Sequence, residues 1–81
     1  MYTYRYVIKA TNGKFVVIEE FWSHIYSKWC VCDILDRVEW PEGLPLERAD
    51  QVLNPIGWKV ADGRQWVYQD FGDYVVPADA Y

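Results

Sequence analysis

The sequence is poor in the residues that carry most protein chemistry, with one histidine, two cysteines and one methionine. Nucleophilic catalysis needs a base beside the nucleophile and donors for a developing oxyanion. His24 has Ser23 next to it and Ser27 three residues on, but no glycine-rich turn nearby. It reads as a surface or capping histidine, and no enzymatic activity is expected. Structural zinc takes four ligands in paired spacings. His24, Cys30 and Cys32 supply three, so no metal is expected. Two cysteines separated by one residue make a strained and nearly useless disulfide loop. Cys30 and Cys32 are therefore read as small core residues in a reducing, cytoplasmic setting.

Long hydrophobic runs are missing as well. No stretch approaches the ~20 apolar residues needed to span a bilayer, and the start lacks the basic region and apolar run of a signal peptide. Neither a membrane anchor nor a leader is expected. P-loop, dinucleotide and calcium-loop patterns are absent, so no cofactor is expected. Positive charge is in short supply: eight Lys and Arg stand against twelve Asp and Glu, a net charge of −4. That balance disfavours direct contact with nucleic acid or an anionic membrane and permits docking on a basic surface. Low-complexity sequence is also absent, which argues for an ordered chain.

What the sequence has in excess is aromatic rings: five Trp, seven Tyr and three Phe in 81 residues. A domain this small has few enclosed positions, so some rings must be partly exposed. Trp and Tyr tolerate this because each has an apolar body and a polar handle, and they are enriched at binding hot spots. The length allows one domain, placed at 1–77, with 78–81 read as a fraying tail.

Residues 2–11 alternate, with Tyr2, Tyr4, Tyr6, Ile8 and Ala10 on one face. Asn12-Gly13 follows, the sequence of a two-residue type I′ turn, and 14–21 reads as the return strand. A two-residue loop sets Ala10 opposite Phe15, Ile8 opposite Val17, Tyr4 opposite Phe21 and Arg5 opposite Glu20. It also sets Tyr6 against Glu19 on the inner side, a mismatch that an edge position accommodates. Val31, Ile34, Leu35 and Val38 stand at i, i+3, i+4 and i+7, a helix stripe. Ser23 is a plausible N-cap and Pro41 a stop, which predicts a helix over 24–39. The competing reading is a third strand over 28–35, favoured by Trp29-Cys30-Val31-Cys32. A second, short helix starts at Pro45, buries Leu46, Ala49, Val52 and Leu53, and ends at Asn54-Pro55. Trp58-Lys59-Val60 leads into Asp62-Gly63, a second hairpin signal, with 65–71 as its return. Tyr74-Val75-Val76 makes a short last strand stopped by Pro77. The assembled expectation is an α+β domain: a small antiparallel sheet, made of an N-terminal hairpin and a C-terminal hairpin or meander, with one or two helices on one face.

Asp33, Asp36, Glu39 and Glu42 recur every third residue, and Trp40 sits among them. On a helix these carboxylates spread over a solvated half-face. They can also approach the ~7 Å phosphate spacing of a nucleic-acid strand, as an acidic stripe that docks on a basic groove. Asp33, Asp36, Glu39, Trp40 and Glu42 are the candidate partner-binding residues. The expected function is a stoichiometric inhibitor of a larger protein or ribonucleoprotein with a basic surface. Size, acidity and ring content are similar in type to phage anti-defence (anti-CRISPR) inhibitors and toxin-immunity proteins. The alternative is an accessory subunit of a permanent complex with an apolar interface. A hairpin edge could also pair with a second copy.

Overall fold

Alternation and turn chemistry act first. In the computed structural model, which describes residues 3–81, β1 (Tyr4–Thr11) and β2 (Lys14–Ser23) form the expected hairpin. Tyr2 lies outside the described residues. The register is the one the two-residue loop dictates, from Thr11↔Lys14 to Tyr4↔Phe21, with Arg5↔Glu20 and Tyr6↔Glu19 included. Asn12 and Gly13 both take positive φ, 50° and 72°, as a type I′ turn requires.

The helix expected over 24–39 is absent. In its place β3 (Lys28–Glu39) runs antiparallel to β2 as a 12-residue strand, the competing reading extended by four residues. The reason lies in two register shifts, between Val17/Ile18 and between Glu19/Glu20. Each leaves one β3 residue, Leu35 or Cys32, without a partner on β2. A bulge residue inserted into a period of two creates a local spacing of three. Val31 and Ile34 thus share a face, as do Asp33 and Asp36, and the pattern imitates a helix stripe. Ser23 does what an N-cap does without a helix to cap: its Oγ accepts the Tyr26 N–H at 3.2 Å inside the β2–β3 turn.

The chain then covers one face of the sheet. A 3-10 turn at Leu46–Arg48, α1 (Asp50–Leu53) and a second 3-10 turn at Asn54–Ile56 follow one another. The helical path does not stop at Asn54-Pro55 as expected. Pro55 is accepted in the first positions of the 3-10 turn, where its missing N–H is not needed, and Gly57 closes the run at φ 89°. The only α-helix among the described residues is this four-residue one, so the fold is mostly sheet.

The last third pairs differently from expectation. β4 (Trp58–Val60) does not form a hairpin with 65–71. It pairs with the far end of β6 (Tyr74–Ala80), Trp58↔Ala80 to Val60↔Ala78. Asp62-Gly63 still turns the chain, with Arg64 N–H bonded to Ala61 O, but it is not the type I′ hairpin turn expected: Gly63 takes positive φ, 72°, and Asp62 does not, and its flanks part. From 65–71 only β5 (Val67–Tyr68) pairs, with Val75 and Tyr74 of β6. The strand order is β3-β2-β1-β6-β4, with β5 beside β6. Pro77 does not stop β6, and 78–80, expected to fray, are paired. The Pro77 carbonyl accepts the Ala61 N–H at 3.0 Å. Its nitrogen therefore faces the gap between β5 and β4, where no donor is required.

Ile8, Ala10, Phe15, Val17, Val76 and Ala78 from the sheet close on Ala49 and Leu53. Trp40 and Trp66 flank Phe15, with ring centroids at 5.3 and 5.8 Å. This core sits under the turn end of the β1–β2 hairpin, and among the described residues the opposite end of the same face is left bare.

Candidate functional site

Cross-strand partners share a face of a sheet, so the register assigns each side chain. The covered face carries the rows Ala10/Phe15/Val38, Ile8/Val17/Asp36, Tyr6/Glu19/Asp33 and Tyr4/Phe21/Cys30. The first two rows run into the core, and the last two lie beyond the covering segment. Tyr4 is 52% and Tyr6 40% exposed, and Phe21 is half-buried. Trp58 reaches across from β4 to meet Tyr6, with ring centroids 5.4 Å apart. The bare end is thus an aromatic floor bearing the Glu19 and Asp33 carboxylates, with Asp36 one row inward.

The five expected site residues do not stay together. The bulge at Leu35 brings Asp33 and Asp36 onto one face, where a regular strand would place them on opposite faces. Glu39 pairs with Lys14 on the other face. Glu42 is exposed in the turn after β3. Trp40, expected among the partner-binding residues, packs inward: its ring lies against Phe15, and its indole N–H donates to Leu44 O at 2.7 Å. Glu19 is the member that sequence reasoning did not single out. Its signal was the Tyr6–Glu19 mismatch, which reflects an uncovered face and not an edge, since β3 and β6 flank the hairpin.

Among the described residues no cation forms an ion pair with Glu19 or Asp33. The ion pairs among the described residues are Arg5–Glu20, Lys9–Asp73 and Lys59–Asp62. Lys28, the cation on this face of β3, extends toward the Tyr26 ring. Carboxylates directly opposite one another are unfavourable, and both of these also bear on a neighbouring thiol. The Cys32 thiol is held above its ordinary pKa, chiefly by hydrogen bonding to Glu19, with partial desolvation and the Glu19 and Asp33 charges adding to it. Neither cysteine is a core residue, contrary to expectation: Cys30 is half-buried and Cys32 exposed, because β3 is the edge of the sheet.

The opposite face has the reverse character. Arg5, Lys9, Lys14 and Arg37 stand there against Glu20 and Glu39, between Val7, Val16, Ile18, Val31 and Ile34. Arg5 Nε reaches Glu20 Oε1 at 2.8 Å while its guanidinium lies 4.2 Å above the Trp29 ring. Val31 is 60% and Ile34 48% exposed.

His24 is exposed in the β2–β3 turn, beside a Ser23 whose oxygen is engaged with Tyr26. Among the described residues no three His, Cys, Asp or Glu side chains gather as a metal site, and no helix is long and apolar enough to cross a membrane. No family model, curated protein or solved structure matches the chain.

Proposed function

We propose that this is a non-catalytic binding protein that occludes a basic surface of a larger protein or ribonucleoprotein. One observation carries the reading: Glu19, Asp33 and Asp36 are gathered on one face, in no ion pair among the described residues, beside exposed rings. Exposed aromatics supply anchors at interfaces, and unneutralised carboxylates supply steering and selectivity for a cationic partner. The acidic stripe read from the sequence becomes a smaller patch, with Asp33 and Asp36 in it and Glu39, Trp40 and Glu42 outside.

The test is a tagged pull-down from nuclease-treated lysate, washed at low and at high salt, with an Asp33→Asn/Asp36→Asn variant alongside. One stoichiometric partner that elutes in salt and is lost by the variant is the expected outcome. A second reading, a permanent subunit, is favoured by the uncovered Val31, Ile34 and Val67 on the other face. It predicts a partner that survives high salt and is indifferent to the two carboxylates.

A further inference from the structure

We infer that the bare aromatic end of the covered face is a receptor for arginine side chains of a partner protein. This rests on the binding reading above and specifies the chemistry of its ligand. The argument starts from a precedent inside the molecule. On the opposite face, Glu20 and the Trp29 ring hold Arg5 between a carboxylate and an aromatic surface. One residue along β2, Glu19 stands with Tyr6 directly across on one side and Asp33 on the other, Phe21 one row further and Trp58 against Tyr6. The combination of carboxylate and rings is repeated, with a second carboxylate added. No cation of the described residues occupies it.

Charge complementarity selects the occupant. Two cross-strand carboxylates beside exposed rings reject anions, so nucleic acid is disfavoured as the direct ligand. A guanidinium suits the site better than an ammonium: it is planar, stacks on rings and meets carboxylates through two N–H groups. Stacking on an aromatic face adds to the attraction. The cation-bearing face of a second copy is the alternative occupant.

The test uses the full chain and three defined probes: hexa-arginine, hexa-lysine and hexa-glutamate peptides, followed by backbone amide shifts and by tryptophan fluorescence. Hexa-arginine is expected to perturb residues 4–6, 19–21 and 30–36, and to bind several-fold more tightly than hexa-lysine. Hexa-glutamate should not bind. Glu19→Gln/Asp33→Asn, which keeps shape and removes charge, should weaken hexa-arginine about tenfold. Tyr6→Leu should narrow the gap between arginine and lysine. An unchanged amide spectrum elsewhere confirms that each variant is folded.

Shifts scattered over Asp62, Asp70, Asp73 and Asp79, or an affinity unmoved by the double variant, would overturn the site. Concentration-dependent self-association abolished by Arg37→Gln would overturn the choice of partner in favour of a second copy. A lysate partner retained by the double variant would sink this inference and leave the binding reading standing. Arginine captured at the site with no lysate partner found would do the reverse.

Discussion

Phe71 combines two conditions that side chains rarely accept together. Its backbone is left-handed, φ 66°, and its ring is 100% exposed. The left-handed region costs an L-residue roughly 1–2 kcal/mol, and an exposed ring recovers none of it by burial. Asn tolerates this conformation far better. Phe71→Asn is expected to stabilise the protein by about 0.5–1 kcal/mol, seen as a melting temperature raised by about 2–6 °C. A lower melting temperature would mean that the ring has a packing role. Cys32 supplies a second test at this scale. Its raised pKa keeps the thiol protonated near neutrality, and the thiolate is the reactive form. Iodoacetamide at pH 8 should therefore label Cys32 slowly despite its exposure, and Glu19→Gln should speed the labelling. Equal rates in the two proteins would remove Glu19 as the cause.

At the scale of elements, the chain divides into what local chemistry decides and what distant partners decide. The register of the β1–β2 hairpin was legible because a two-residue loop leaves it no freedom, although β2 runs on to Ser23, two residues past its expected end. β3 was not, because two bulges within five residues turned a strand period into a helix-like one. Its acids could be named from sequence, but their faces could not, since each bulge residue reverses the face of everything after it. The position of the Asp62-Gly63 turn was legible too, though not its type, since Asp62 stays out of the left-handed region that type I′ requires. Its flanks were misassigned because turn chemistry does not state that the incoming strand must pair with the outgoing one. β4 is completed by 78–80, and even the Tyr81 N–H is bonded, to Gly57 O at 2.9 Å. Ending the chain at Pro77 is therefore expected to cost about 2–3 kcal/mol, from a lost three-residue ladder and the buried Ala78. A lower urea midpoint and faster amide exchange at Lys59 and Val60 would register it. No change in either would restore the view of 78–81 as a fraying tail.

For the whole molecule, the two faces of the sheet define its relation to other molecules. β3 presents a long free edge, which sheets normally guard against unwanted pairing. Here Cys32 and Leu35 break its regularity while Asp33, Asp36, Arg37 and Glu39 charge it. The bulges that guard the edge also aim the acids, so a single local device serves both purposes. Glu19, Asp33 and Asp36 lie on one side of a layer only one strand thick, and Arg5, Lys9, Lys14 and Arg37 on the other. Glu20 and Glu39 offset part of the positive side and Lys28 part of the negative one, so what is left is a partial electric dipole across the sheet. On the proposed function, the field of a cationic partner would exert a torque on it before contact and turn its carboxylates forward. Association with a cationic target should thus be fast at low ionic strength, and salt should slow the arrival more than it hastens the departure.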